Sequence, residues 1–306
     1  MKQVYTLEDL ELRELLDAGC DKPARLAVIG HPIAHSASPR MHQAALDELG
    51  IEARYIRLDV EPGRVGEALA RMRALGFIGC NVTVPHKLEA MAVIGRCGHV
   101  QSEAREQGAV NTVRFDEDKT RGFNTDGWGF HWAVNDDFGA QLGSLNVVIA
   151  GAGGGAGQAI ATQCCRAKVS KLVLVNRTLE KLGPLVERLK LLSPGTQIIA
   201  LSFDDPALAE HCLGCDLIVN TSSVGLKSGD PSILPAACLK KEHLVYDTIY
   251  QPPVTPLLAV ARATGCRTAN GLSMLLNQGA LAFQRWFPGT DPLPVMRAAM
   301  SHFSRG

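Results

Sequence analysis

Residues 145–167 read LNVVIAGAGGGAGQAIATQCCRA. Four apolar residues, Val147 to Ala150, run into a glycine-rich turn, and a run of small and apolar residues suited to a helix follows. Strand, glycine-rich loop, helix is the context in which the pattern G-x-G-x-x-G/A binds a dinucleotide. Gly151, Gly153 and Ala156 occupy its three fixed positions, with Ala152, Gly154 and Gly155 between them. Glycine there lets the backbone approach a pyrophosphate, and the helix N-terminus offers unpaired N–H groups and a positive dipole end. A merely flexible glycine turn would require neither the strand before it nor the helix after it.

The next strand selects the cofactor. A free ribose 2′-hydroxyl calls for Asp or Glu at the end of that strand. Here KLVLV (171–175) ends in Asn176, Arg177 and Thr178, with Lys181 close behind and no carboxylate at the tip. Arg177 is a planar, permanently charged donor suited to a 2′-phosphate, and Lys181 adds a second positive charge. The segment therefore predicts NADP(H) rather than NAD(H).

Outward from this unit, strand and helix patterns alternate. RLAVIG (25–30) is a short apolar run, hence a buried strand. SPRMHQAALDELG (38–50) has Ser as a cap, Pro at the first helical position and Gly at its end. ARYIRLDV reads as a strand, PGRVGEALARMRALG as a helix and FIGCNVTVP as a strand again. This order implies parallel pairing with crossover helices. AVNTVRFDEDKTRGFNTDG (109–127) predicts two short strands around a polar DEDKT turn, an antiparallel hairpin at a sheet edge. After Gly127 the pattern restarts: a helix over WGFHWAVNDDFG, the glycine-rich unit, then strands in TQIIALSF, DLIVNTSS, HLVYDTIY and CRTANG. Helices are predicted in LEKLGPLVERLKLL, TPLLAVARATG and LSMLLNQGALAFQRWF.

A chain of 306 residues, 46% of them hydrophobic, suffices for two domains with real cores. The fold class expected is α/β, with an open α/β domain and a Rossmann-type domain separated by a cleft. A formal net charge of zero and no basic stripe argue against nucleic acid or a membrane surface as partner. No apolar run is long enough for a membrane span, and the N-terminus, MKQVYTLEDLELRELLDAG, lacks the apolar centre of a signal peptide. It reads as a short amphipathic helix. Nine cysteines at irregular spacing suit reduced thiols in a cytoplasmic protein. Cys212 and Cys215 form a single CxxC without a second ligand pair, and no metal is expected.

Four stretches of the N-terminal half place polar groups at predicted strand ends. NVTVPHK (81–87) alternates Asn81 and Thr83 with Val82 and Val84, which belong in a core, and ends on Lys87. GHPIAHSASPRMH (30–42) carries Ser36 and Ser38, AVNT (109–112) carries Asn111, and GFNTDG (122–127) carries Asp126. Ligands of open α/β sheets bind outside the carboxyl ends of strands, so these groups would surround one site.

In order and spacing, GHPIAHSASP, NVTVPHK, GAVNT, GFNTDG, GAGGGA, NRT, VNTSSVG, YDTIYQPPVTPLL and NGLSMLLNQGALAF resemble the shikimate dehydrogenase family. The resemblance covers nearly the whole chain from about residue 25. It implies reversible NADP-dependent reduction of 3-dehydroshikimate to shikimate, with substrate and dinucleotide as partners and a homodimer left open. It also implies that a dinucleotide domain, 126–270, is inserted into a substrate domain made of 1–125 and 271–306, with 1–22 an extra N-terminal helix. By motif, Lys87 and Asp126 are the catalytic pair, Ser36 and Ser38 meet the substrate carboxylate, and Thr83, Asn111, Tyr250 and Gln278 meet the ring hydroxyls. Thr248 and Gly271 line the nicotinamide. His31, His35 and His86 sit inside or beside these motifs as structural groups, although a His beside Lys87 could tune it. The chemistry agrees independently, because hydride delivery to a carbonyl leaves an alkoxide that a positioned acid must protonate. The sequence departs from the family in its N-terminal segment and in three consecutive glycines where Ala or Ser is common. Rival readings are a quinate or dual quinate/shikimate dehydrogenase and a non-catalytic NADP-binding sensor.

Overall fold

The computed structural model describes residues 2–301. Residue 1 of the N-terminal extension and residues 302–306 of the last stretch lie outside the described residues. The chain forms two compact units, one running to Thr125 and taking in Gln278–Ser301, the other Asp126–Asn277.

The first unit contains β1 (Ala24–Gly30), β2 (Arg54–Asp59), β3 (Gly79–Val82), β4 (His99–Val100), β5 (Thr112–Phe115) and β6 (Thr120–Phe123). They form one sheet in the order β2-β1-β3-β5-β6-β4. β1 runs parallel to β2 and β3, and β5 runs antiparallel to both its neighbours. The predicted hairpin is therefore β5–β6, closed by a hydrogen bond from Asp116 N to Lys119 O. It does not hold the edge, because β4 pairs parallel to β6 outside it. Two residues are too short a strand to leave a periodic signal.

The N-terminal extension is more than a helix. Tyr5 N donates to Arg57 O (2.9 Å) and Asp59 N to Tyr5 O (2.8 Å), so the segment covers the open edge of β2. A short 3-10 turn (Glu8–Leu10) and helix (Arg13–Asp17) follow. Tyr5, Leu7, Leu10 and Leu16 are buried in the same core as β1 and β2. Arg54 is buried and ties the segment down, donating to Lys22 O, Tyr5 Oη, Leu16 O and the Asp17 carboxylate. That carboxylate is held below its usual range by Ala24 N, Arg54 and Arg13, which together outweigh its partial burial.

The second unit contains β7 (Val147–Ala150), β8 (Lys171–Val175), β9 (Gln197–Leu201), β10 (Leu217–Asn220), β11 (Leu244–Asp247) and β12 (Arg267–Ala269). The order is β12-β11-β10-β7-β8-β9, all parallel. Numbered from β7, that is the 3-2-1-4-5-6 order of the doubly wound dinucleotide fold. One face packs on helices Asp126–Phe138, Gly155–Arg166 and Gly183–Leu192, the other on Leu208–Leu213 and Pro256–Thr264. Cys212, Cys215 and Cys238 lie in that second core, and all nine cysteines are free thiols. Among the described residues no group of three or more His, Cys, Asp and Glu is placed to hold a metal, and no helix is long and apolar enough to cross a membrane.

Because the N-terminal segment is part of the first core, cutting into it should unfold more than itself. Leu10→Ala should lower stability by about 2–4 kcal/mol, read as a fall in the urea midpoint. A segment merely resting on the surface would cost under about 0.5 kcal/mol.

Candidate active site

At the carboxyl ends of β1 and β3 the chain is tied across. Thr83 N donates to Ile29 O (2.9 Å) and His31 N to Val84 O (3.1 Å). A Cβ on Gly30 would stand 2.7 Å from Thr83 Cγ2, so glycine permits this approach. β3 ends at Val82, so Thr83 no longer shares a strand face with Asn81. Val84, expected in the core, is 70% exposed. The turn that precedes the next helix breaks the alternation on which that expectation rested.

Ser36 and Ser38 come together, with Ser38 N donating to Ser36 Oγ (3.3 Å). Ser38 is the first residue of its helix rather than the cap, which is Ala37. Behind the pair, Arg57 donates to Ser36 O through Nε (3.0 Å) and Nη2 (2.8 Å). Lys87 opens the helix Lys87–Cys97. Its neighbour His86 is buried, with Nε2 2.7 Å from Val60 O. A carbonyl only accepts, so that nitrogen carries the proton. Lys87 O accepts from Val110 N (3.1 Å), which brings the residue beside Asn111 next to the helix start.

Asn111 joins most of this polar region. Its Oδ1 accepts from Thr125 N (2.9 Å) and Thr112 Oγ1 (2.8 Å). A backbone N–H can only donate, so the amide orientation is fixed. Nδ2 then donates to Thr125 Oγ1 (2.9 Å) and to Gln278 Oε1 (3.4 Å). Upstream, Tyr55 Oη donates to Asn81 Oδ1 (2.6 Å) and Asn81 Nδ2 to Thr112 Oγ1 (3.2 Å). The sequence reading did not single out Tyr55, Thr112 or Thr125. The available signal was a tyrosine within a predicted strand, whose hydroxyl needs a partner when buried, but the signal does not say which.

In the second unit Gly151 has φ +85°, and a Cβ there would lie 2.9 Å from Ser222 N. Asn176 closes the loop over β8, with its Oδ1 accepting from Gly153 N (3.4 Å) and its Nδ2 donating to Thr178 O (2.8 Å). Arg177 and Lys181 are exposed at the tip of β8. Ala156, read as the third fingerprint position, is half-buried, and the tight packing falls on Gly157 instead. A Cβ on Gly157 would be 2.7 Å from Gly151 O and 2.8 Å from Thr221 Oγ1. The pattern fits only the 151/153/156 register, so the close packing of Gly157 is a further feature that the fingerprint does not mark.

Thr248 and Gly271 meet through their backbones. A Cβ on Gly271 would overlap the Thr248 carbonyl oxygen, and Gly271 N donates to Ile249 O (3.0 Å). Beneath them the Asp247 carboxylate is fully buried and accepts from Thr255 Oγ1 (2.6 Å), Asn220 Nδ2 (3.1 Å) and Ile249 N (3.0 Å). Burial raises its pKa, and these donors oppose the rise. Tyr250 is half-buried three residues on. Asp126 is the buried first residue of helix Asp126–Phe138 and follows Thr125 directly. Lys87, Ser36, Ser38, Thr83, Asn111 and Gln278 thus belong to the first unit, and Asp126, Tyr250 and the loop residues to the second.

The chain is similar to known proteins along most of its length. The family model of the shikimate dehydrogenase substrate binding domain matches residues 28–113, and that of the shikimate 5′-dehydrogenase C-terminal domain matches residues 271–300. Shikimate dehydrogenase (NADP(+)) of Symbiobacterium thermophilum is 38% identical over 283 residues, 90% of this chain and 92% of that one. The structure of shikimate 5-dehydrogenase from Thermus thermophilus with NADP(H) and shikimate is 36% identical, TM-score 0.79, over 92% of this chain and 99% of that one. Quinate dehydrogenase from Corynebacterium glutamicum with NAD is 30% identical, TM-score 0.81, over 92% and 100%.

Behind the Gln278 helix, His42 is fully buried, stacked on Tyr55 at 4.5 Å and flanked by Phe283 and Trp286. Neither ring nitrogen has a hydrogen-bond partner, and burial pushes its pKa down to about 3. The folded chain thus binds one proton fewer than the unfolded chain below the ordinary histidine pKa. Stability should fall by up to about 1.4 kcal/mol per pH unit as pH drops below roughly 6.5, levelling off near the folded value. His42→Phe should remove that part of the acid sensitivity in urea titrations at pH 7, 5.5 and 4.5. An unchanged pH profile would show that His42 stays accessible to protons.

Proposed function

The chain belongs to the shikimate dehydrogenase family, and from that premise we propose how it works as an NADP-dependent oxidoreductase that interconverts 3-dehydroshikimate and shikimate. The observation that carries the reading is the fixing of Lys87. Its helix start is pinned by buried His86 on Val60 and by Val110, the neighbour of Asn111.

The loop residues fit a dinucleotide phosphate. The close approach of Gly151 to Ser222 leaves no room for a side chain, Asn176 fixes Gly153, and the helix N-terminus from Gly155 stands ready. Arg177 and Lys181 at the β8 tip would take the 2′-phosphate, and Thr178 closes that turn. When bound, NADPH supplies the hydride. Lys87 donates a proton to the carbonyl oxygen as negative charge develops there, and takes it back in the oxidative direction. Asp126 orients the ammonium and accepts a substrate hydroxyl, and the peptide before it is held by Asn111. The paired Ser36 and Ser38 hold the substrate carboxylate. Thr83, Asn111, Tyr250 and Gln278 address the ring hydroxyls, and Thr248 and Gly271 bound the nicotinamide. We assign the cytoplasm as the compartment, which nine unpaired thiols support.

Quinate carries one further hydroxyl on the carboxylate-bearing carbon. Buried Ser38 favours shikimate there, and a site that hydrogen-bonds such groups discriminates strongly. Steady-state kinetics with two substrates and two cofactors should give the highest kcat/KM for shikimate with NADP. Preference for quinate with NAD would overturn that assignment.

Lys87→Ala should lower kcat by at least about 100-fold while leaving the NADPH dissociation constant unchanged. A variant that keeps most of its rate would remove Lys87 from the proton transfer.

A further inference from the structure

Arg188 stands on the helix Gly183–Leu192, outside the glycine-rich loop and the Asn176-Arg177-Thr178 segment. Its Nη2 donates to Gln158 Oε1 (3.0 Å), and Gln158 Nε2 donates to Gly153 O (3.2 Å). The carbonyl of Gly153 can only accept, so the orientation of the Gln158 amide is fixed. Gly153 is thereby held at both ends of its residue, through its N–H by Asn176 and through its C=O by Gln158. Gln158 lies in the first turn of the helix that the loop opens.

The guanidinium is also under-compensated. Its Nε is buried without a hydrogen-bond partner. Burial alone pulls its pKa down, with no carboxylate acting against that. A half-buried cation one amide group behind a loop suited to phosphate gains most from an anion arriving at that loop.

We infer that Arg188 is a positioning residue for the diphosphate of the bound dinucleotide, fixing Gly153 through Gln158 and lending its charge to the loop. The inference rests on the dinucleotide reading of that loop. It assigns different tasks to different cations. Arg177, exposed at the β8 tip, distinguishes NADP from NAD. Arg188 strengthens both, because both carry the same diphosphate.

The test measures dissociation constants of NADPH, NADH and 2′-AMP for wild type, Arg188→Met, Arg188→Lys, Gln158→Met and Arg177→Ala, at low and moderate salt. Arg188→Met should weaken NADPH and NADH by the same factor, about tenfold. The loss should shrink as salt rises. Binding of 2′-AMP, which lacks the diphosphate, should not change, and that also reports an intact domain. Arg188→Lys should recover part of the loss. Gln158→Met should weaken both dinucleotides without abolishing the salt effect. Arg177→Ala should weaken NADPH and 2′-AMP and spare NADH. If Arg188→Met binds both dinucleotides as wild type does, or loses NADPH alone, Arg188 has no role at the diphosphate. If it fails to fold, the lysine and Gln158 variants decide by the same comparison. A wild type that binds neither dinucleotide would instead overturn the proposed function.

Discussion

One buried carboxamide holds the first unit's polar region in register. Asn111 O accepts from Val82 N (2.7 Å), and Asn111 N donates to Phe123 O (3.0 Å), so its backbone stitches the ends of β3 and β6. Its side chain reaches Thr112, Thr125 and Gln278. A buried group left without partners costs about 1–3 kcal/mol, and a network like this is worth having only when every member is satisfied. Satisfaction here requires Thr125, and hence the start of Asp126, to sit in one place. It also requires the return of the chain at Gln278 to dock against the same amide. Polar residues 167 positions apart are thus set by one hydrogen-bonding inventory, not by local loop preference.

The second unit repeats the device with a carboxylate. Asp247 gathers donors from Asn220 at the end of β10, from the loop after β11 and from Thr255, which also caps its helix by accepting from Leu258 N. Asn220 accepts from Ser222 through both its backbone N–H and its hydroxyl, and donates to Val224 O, folding the turn onto itself. The backbones of Thr248 and Gly271 rest on that base. In both units the loops at the strand ends are irregular. Each is made rigid by a fully buried polar centre, as a binding surface formed by loops on a stable scaffold requires.

The sequence disclosed the parts governed by short-range rules. The glycine-rich unit, the β5–β6 hairpin and the alternation of strand and helix all follow from periodicity and turn chemistry, and the all-parallel second sheet follows from them. What stayed hidden depends on distant partners. Val84 looks apolar and internal until the turn after Val82 turns it outward. The tight glycine at 157 is not marked by the local pattern, since its contact with Thr221 comes from the segment after β10. Nothing in the local composition marks Tyr55 as the donor to Asn81, or Tyr5 as an added edge partner of β2. The candidate residues themselves were legible only as motifs in a fixed order. Taken singly, a Ser at a helix start or a Gln on a helix surface carries no such information.

The placement of Gln278 shows why such positions leave little slack. Its oxygen is taken by Asn111, which turns the amide nitrogen the other way. The next residue, Gly279, packs against Met41 so closely that a Cβ would overlap the Met41 methyl group. Further along the same helix, Trp286 Nε1 donates to Val113 O (2.9 Å). Phe283 completes the aromatic packing around His42. A helix pinned by one hydrogen bond could still roll about its axis. With three fixed points on one face it cannot, and Gln278 is held in a single rotational setting. Orientation fixed before a ligand arrives is entropy that binding need not supply. The setting of this polar side chain therefore follows from core packing next to it and further along its own helix.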